Sequence, residues 1–281
     1  MNVKSVPPSE IEGLSVSVVV YRPDLARLVS TLDSFRVACD KLRDARPAFP
    51  VELYLIDNGG LPDLHAVRQE LHAHGIACRV VTGHGNVGYG RGHNLAIEQT
   101  ERQYHLVLNP DIDLESDALV RALDFFDANP SLGLLSPRIG DERGQLQYLC
   151  RRYPTLLDLG VRGFLPAGAR RLFTRRLARY EMRDLINDND TVWDPPIVSG
   201  CFMLFRTSVL KKLRGFDERY FLYFEDYDLS LRTHDASRIV YAPIVRVRHH
   251  GGDAAKKGSA HIRMFAASAC KFFSRFGWKW L

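Results

Sequence analysis

Short β-branched apolar runs alternate along this chain with longer stretches in which apolar residues recur every three or four positions. Residues 14–21 (LSVSVVVY) form a run suited to a buried strand. Residues 24–38 carry Leu25, Leu28, Val29, Leu32 and Phe35 at helical spacing, with Asp24 placed to cap the first turn. The same reading predicts a strand over 51–56, a helix over 61–74 and a strand over 78–82. It continues with a helix over 93–101, a strand over 104–108 and a helix over 115–129. Such alternation predicts an α/β domain with a parallel, doubly wound sheet. Ligands bind such sheets outside the carboxyl ends of the strands, which directs attention to the turns after Tyr21, Ile56 and Thr82.

The second half is less regular. The pattern weakens from 137 to 153, and 140–144 reads as a hairpin turn. Residues 169–183 form a basic amphipathic segment, with Leu172, Phe173, Leu177 and Tyr180 on one face and Arg171, Arg175, Arg179 and Arg183 on another. Strands are predicted at 192–193, 197–205, 239–241 and 245–247, and a short helix at 208–213. From His261 onward, Ile262, Phe265, Ala269, Phe272, Phe273, Phe276 and Trp280 share one helical face.

Composition adds bounds. A chain of 281 residues, 46% apolar and 25% charged, is ordinary for a soluble globular protein. No apolar run approaches the roughly 18 residues that cross a bilayer, and residues 1–13 have no signal-like core. Cys39, Cys78, Cys150, Cys201 and Cys270 are odd in number and lack metal spacing, so reduced thiols and a cytoplasmic setting are expected. The net charge of +5 hides an asymmetry. Residues 151–183 hold nine arginines against Asp158 and Glu181, and residues 246–281 hold eight lysines and arginines against Asp253. Two basic patches on an otherwise acidic body point to an anionic surface, phospholipid or nucleic acid. No nucleic-acid motif accompanies them, and their aromatics fall on helix faces, so nucleic acid is not expected.

Candidate chemistry centres on 221–232 (FLYFEDYDLSLR), where four bulky apolar residues run into Glu225, Asp226 and Asp228. Acids of this kind also decorate ordinary surface helices. The apolar lead-in drives the backbone inward, so Glu225 and Asp226 are expected to open a helix at a partly desolvated edge, where a carboxylate gains basicity. Residues 83–92 contain five glycines, which let backbone lie close to a ligand, although Gly88, Gly90 and Gly92 lack dinucleotide spacing. The strand at 104–108 ends in Asn109-Pro110-Asp111-Ile112-Asp113, which reads either as a metal-diphosphate site or as a capped turn.

Seven ordered motifs carry a resemblance: residues 18–24 (VVVYRPD), 57–59 (DNG), the loop from Asn86 to Asn94, 108–111 (LNPD), 215–218 (GFDE), 224–229 (FEDYDL) and 249–252 (HHGG). Together they resemble the glycosyltransferase family 2 enzymes of the GT-A fold, in the group that includes bacterial rhamnosyltransferases. The resemblance implies one GT-A domain over 1–281, with a Rossmann-like nucleotide-sugar-binding half (14–113), an acceptor and catalytic half (114–260) and a C-terminal amphipathic helix (261–281). It implies an inverting transfer in which Asp226 deprotonates an acceptor hydroxyl and Glu225 orients the base or the sugar. Asp57 matches the family's base-binding Asp, and Tyr21, Asn58, Gly88, Arg91 and Asn94 are its expected nucleotide-side companions. Asn109 stands where the family's D-x-D motif has its first acid. Asp111 is the expected ligand of Mg²⁺ or Mn²⁺, with Asp113 assisting and His249 or His250 completing the site, the spacing from the preceding strand favouring His249. Trp193, Ser199 and Gly200 are placed near the donor sugar or acceptor. The donor implied is dTDP-rhamnose, with a UDP-hexose or UDP-galactofuranose as alternative, and the acceptor a lipid-linked glycan of polysaccharide or O-antigen synthesis. The two basic segments, each pairing an apolar helical face with a positive one, predict a peripheral position on the anionic inner face of the membrane. A non-catalytic, nucleotide-binding tether is the alternative of another class.

Overall fold

Strand β1 (Ile11–Tyr21) is buried from Gly13 to Val20 and forms the spine of the sheet. Helix α1 (Leu25–Ala45) follows, and the Asp24 carboxylate accepts from the N–H groups of Ala26 and Arg27, capping it as the sequence predicts. Its buried stripe of Leu28, Leu32, Phe35, Ala38, Cys39 and Leu42 lies in the largest apolar core, with residues of β1 and of the later helix Ala118–Ala128. The alternation continues through β2 (Val51–Gly59), α2 (His65–Ala73), β3 (Ile76–Val81), α3 (Tyr89–Ile97) and β4 (Arg102–Leu108). The computed structural model describes residues 11–251 and 258–281, the side chains of Phe164 and Ala167 excepted. Of the sequence features above, most of 1–13, Gly252 of the HHGG motif, and Asp253, Lys256 and Lys257 of the second basic patch lie outside the described residues.

The second half contains β5 (Ile112–Leu114), α4 (Ala118–Ala128), β6 (Leu132–Gly140), α5 (Leu156–Phe164), α6 (Ala167–Arg170) and α7 (Thr174–Tyr180). Then come β7 (Val192–Trp193), β8 (Phe202–Arg206), α8 (Thr207–Lys212), α9 (Glu225–Thr233), β9 (Arg238–His249) and α10 (Gly258–Phe276). The strands form one nine-stranded sheet in the order β3-β2-β1-β4-β8-β6-β9-β5, with β7 paired to β9. Strands β1, β2, β3, β4, β6 and β9 run one way, and β5, β7 and β8 the other. Strand order reverses at β1, flanked by β2 and β4, which opens a crevice at the carboxyl ends of β1 and β4.

Several elements depart from the sequence expectation. Helix α2 begins at His65 because Pro62 and the Asp63 carboxylate, which accepts from the His65 N–H, shape the preceding turn. Helix α3 begins at Tyr89, four residues early, since Gly88 supplies the φ of 92° that starts it. Strand β6 was not predicted; Gly133, Pro137 and Gly140 break its apolar run. The two strands expected at 239–241 and 245–247 are one, with a bulge where Pro137 pairs Ala242 and Arg138 pairs Arg246. Residues 169–183 are α6, a 3-10 turn (Arg171–Phe173) and α7 rather than one amphipathic surface, for Tyr180 is buried while Leu172 is 86% exposed. Much of the apolar face of α10 is spent on protein: Phe272 and Phe273 are fully buried in a cluster with Tyr180, Tyr220 and Phe224, while Ile262 is exposed.

Candidate active site

At the crevice, β4 ends in Asn109, whose N–H donates to the Cys201 carbonyl at 2.9 Å. The chain then turns into β5, where Ile112 pairs with His249, and the His250 N–H donates to the Asp111 carbonyl at 2.9 Å. This register sets Asp111 beside His249, with Oδ2 and Nε2 3.6 Å apart. Burial works against ionisation of Asp111. The neighbouring His249 and the Arg27 charge outweigh it and hold the carboxyl below its ordinary range. His249 Nδ1 lies 3.1 Å from Gln147 Oε1, an acceptor, which sets the ring with Nε2 toward Asp111. Asp111 Oδ1 is buried with no hydrogen-bond partner. Asp113 does not join them: it accepts from Ser30 Oγ at 3.0 Å, and its Oδ2 lies 2.7 Å from His250 Nε2.

Opposite stands α9. Tyr223 and Phe224 enter it with φ of 71° and 66°, left-handed values that cost a bulky residue about 1–3 kcal/mol each. Glu225 and Asp226 then open the helix, as the apolar lead-in predicts, and Glu225 is only 5% exposed. Asp226 Oδ2 accepts from the Gly200 N–H at 3.0 Å and Oδ1 from the Tyr227 N–H at 2.9 Å. A Cβ at position 200 would lie 3.2 Å from that of Asp226, so glycine permits the approach. Tyr89 joins the two walls, its hydroxyl 2.9 Å from Asn109 Oδ1 and 2.7 Å from the Gly200 carbonyl.

The paired acids are unequal. Burial, then the charge of Asp226, pushes Glu225 up to about 8, and Glu225 Oε2 has no partner. Burial also raises Asp226, but its two N–H donors and the charge of Arg151 oppose the shift. Two adjacent buried carboxyls favour one proton between them. The hydrogen bonds place that proton on Glu225 and leave Asp226 the ionised acceptor. Arg151 is 3% exposed, held by backbone pairing with Ile197 and lying 5.7 Å over the Tyr180 ring. Burial pushes the nearby Cys201 thiol up to about 12, so it stays neutral.

The expected nucleotide side is mostly satisfied by its own backbone. Asp57 Oδ1 accepts from the N–H groups of Gly59 (2.9 Å) and Leu61 (3.2 Å), and Thr82 Oγ1 approaches Oδ2 at 3.4 Å. Asn58 donates to the Gly88 carbonyl at 2.9 Å, with His84 at 3.1 Å from its oxygen. Gly88 presses on the Phe221 carbonyl, Gly90 on Phe216 and Gly92 on Val19, so these glycines serve helix docking, whereas Gly83 and Gly85 face open space. Both amide atoms of Asn94 bond the Phe216 backbone at 2.9 Å, which makes it a clamp on the 215–216 turn. Arg91 is at the surface, 3.4 Å from Glu218. Tyr21 is half-exposed at the end of β1, with Arg22 5.4 Å above its ring. Ser199 lies beside Gly200, and the Cys201 N–H approaches its hydroxyl at 3.4 Å. Trp193 packs between Phe125 (6.0 Å) and Arg238 (4.5 Å) on the β7–β9 pair, partly buried against the main core. Sequence reasoning missed Tyr89, Gln147, Arg151 and Cys201. Tyr89 begins α3 directly after a glycine with positive φ, the one local signal available.

A profile described as "Glycosyl transferase family 2" matches residues 15–214. The chain belongs to glycosyl transferase family 2. This family member is a glycosyltransferase, which sets aside the non-catalytic tether. It is 28% identical over 266 residues to the N-acetylglucosaminyl-diphospho-decaprenol L-rhamnosyltransferase of Mycobacterium tuberculosis, covering 88% of this chain and 81% of the relative. It is 28% identical over 175 residues to rhamnosyltransferase WbbL of Escherichia coli K12, covering 59% and 62%. Among solved structures, S. aureus TarS 1–349 in complex with UDP aligns at TM-score 0.53 and 16% identity, over 91% of this chain and 65% of that one. GalNAc-T7 with UDP, GalNAc and Mn²⁺ aligns at 0.57 and 13%, over 85% and 43%. These likenesses establish the GT-A fold.

Proposed function

We propose that this family 2 glycosyltransferase moves rhamnose from dTDP-rhamnose, with inversion, onto a hydroxyl of a lipid-linked glycan. The two rhamnosyltransferase relatives support the sugar, and the diphospho-decaprenol in the name of one supports the acceptor class. The observation that carries the mechanism is Asp226, half-buried at the start of α9 and held by the Gly200 N–H across the crevice from Asp111. Ionised Asp226 takes the proton of the acceptor hydroxyl while protonated Glu225 supports it without competing for that proton. Residues 14–113 serve the donor, and 114–260 with 261–281 the acceptor.

A divalent ion, Mg²⁺ or Mn²⁺, fits the residues present. Asp111 and His249 would hold it, and the orphaned Asp111 Oδ1 is an oxygen ready for a cation. No cluster of three protein donors exists among the described residues. That suits an ion bound by one or two protein groups and substrate phosphates. Bound there, it would neutralise charge on the departing diphosphate. Asp57 would meet the imide N–H of a pyrimidine, a group common to thymine and uracil, and the UDP-bound neighbours keep a UDP-sugar as the second reading. Nucleotide sugars screened for thermal protection, with and without Mn²⁺, test both. Protection by dTDP-rhamnose and by no UDP-sugar is expected; protection by UDP-sugars alone overturns the donor.

No helix among the described residues is long and apolar enough to cross a membrane. We place the enzyme at an anionic membrane surface, supported by an edge where the two basic segments meet. Arg152, Arg176 and Arg179 line one cavity with Leu281, and Trp280 and Leu281 are 69% and 84% exposed. Sedimentation with anionic vesicles should fall with rising salt and on changing Arg171, Arg175 and Arg179 to Glu. Protein remaining in the supernatant at low salt overturns the location.

A further inference from the structure

Side chains as large as Tyr223 and Phe224 stay left-handed only where surrounding contacts outweigh the strain. Here those contacts converge from one element, α10. Ser268, itself 3% exposed, donates its hydroxyl proton to the Leu222 carbonyl at 2.8 Å. The Tyr223 hydroxyl lies 2.9 Å from His261 Nδ1, and its ring meets Phe265 at 5.6 Å. The Phe224 ring packs on Phe265 at 5.1 Å and Phe272 at 5.3 Å. Farther along, Arg275 donates to Asp228 of α9 at 2.9 Å and to Asp217 at 2.8 Å. From the other side, the Phe221 carbonyl accepts the Tyr89 N–H at 2.9 Å. The turn is therefore clamped between the C-terminal helix and the residue that bridges Asn109 and Gly200.

We propose that α10 is a positioning element of the active site, in which Ser268, His261 and Phe265 hold Leu222, Tyr223 and Phe224 in the left-handed turn that delivers Glu225 and Asp226 to Gly200. The aromatic face of the tail, which the sequence offers to a membrane, instead sets the catalytic carboxylates. Only the kinetic arm of the test rests on the transferase reading.

Ser268→Ala removes one hydroxyl from the full-length protein and leaves the aromatic packing. Hydrogen exchange of the uncomplexed protein should speed up about fivefold to tenfold at the amides of 222–228, the scale of one neutral hydrogen bond. Exchange in β1 to β4 should not change. Under saturating donor and acceptor kcat should fall by a similar factor, with donor KM within about twofold. Asparagine takes the left-handed region more readily than tyrosine. In a Tyr223→Asn background the exchange effect of Ser268→Ala should therefore shrink to less than about twofold. Unchanged exchange at 222–228, an even rise across the whole chain, or a full effect persisting in the Tyr223→Asn background would each overturn the proposal. If the wild type transfers sugar from no nucleotide donor, the transferase reading fails, and the exchange measurements still decide the role of α10.

Discussion

Asp57 and Asp226 each stand where an apolar run gives way to a turn or helix, yet the protein treats them in opposite ways. Asp57 lies in a turn that supplies two backbone N–H groups to one oxygen and a threonine hydroxyl near the other. Its neighbours Asn58 and Asn94 likewise use both amide atoms on protein groups. Across the crevice, Glu225 is buried beside the half-buried Asp226, Glu225 Oε2 lacks a partner, and two aromatic residues sit in left-handed strain. The Asp57 carboxylate sits in a cradle that already satisfies it, and the α9 wall stores unfavourable terms beside its paired acids. Strain and unpaired polar atoms persist when other contacts fix them, and they concentrate at sites of chemistry.

The largest effect that would separate the walls is on rate. Asp226→Asn keeps an oxygen for the Gly200 N–H but removes the base, so transfer should fall about 10²–10⁴-fold with donor affinity unchanged; a wild-type rate breaks the assignment. Glu225→Gln should act on stability. An acid raised from 4.5 to about 8 contributes fully below pH 4.5 and loses that contribution as pH rises through 8. Wild-type stability should therefore decline across this window, by at most about 5 kcal/mol. Glutamine, which mimics the protonated acid, should flatten the decline in urea titrations at several pH values.

The contrast also runs through the glycines. Gly88→Ala combines left-handed strain with a clash on the Phe221 carbonyl and should cost about 3 kcal/mol. Gly83→Ala, also at positive φ but facing open space, should cost about 1 kcal/mol. Equal losses on denaturant unfolding would mean that the loop does not lean on the catalytic turn. Gln147→Ala frees the His249 ring and should weaken Mn²⁺ binding about 10-fold to 100-fold in the presence of nucleoside diphosphate, followed by calorimetry. Unchanged affinity removes His249, or its orientation by Gln147, from the metal set.

The first half of the chain was legible because each strand-helix unit is local: Leu25, Leu28, Leu32 and Phe35 declare a helix without reference to anything distant. Beyond residue 130 the strands depend on partners far along the chain. Leu132–Gly140 is interrupted by two glycines and a proline, and β9 bends at a bulge that resembles a break. The site divides in the same way. Glu225, Asp226 and Asp111 stand out because acids follow apolar runs. Tyr89, Gln147 and Arg151 act across 20 to 111 residues of separation or through burial, and nothing beside them in the chain marks it. The clamp that Asn94 makes on Phe216 is hidden for a related reason: an amide in a glycine-rich loop looks alike whether it faces a ligand or another turn.

Carbon-13 NMR titration of the side-chain carboxyls, with Glu225→Gln and Asp226→Asn as assignments, tests the division of labour between the paired acids without needing the donor. Expected is one carboxyl still protonated at pH 7 that vanishes in Glu225→Gln, beside a second, ionised at that pH, that vanishes in Asp226→Asn. Two carboxyls both ionised by about pH 5, the ordinary range for exposed acids, would contradict a protonated Glu225 supporting an ionised Asp226.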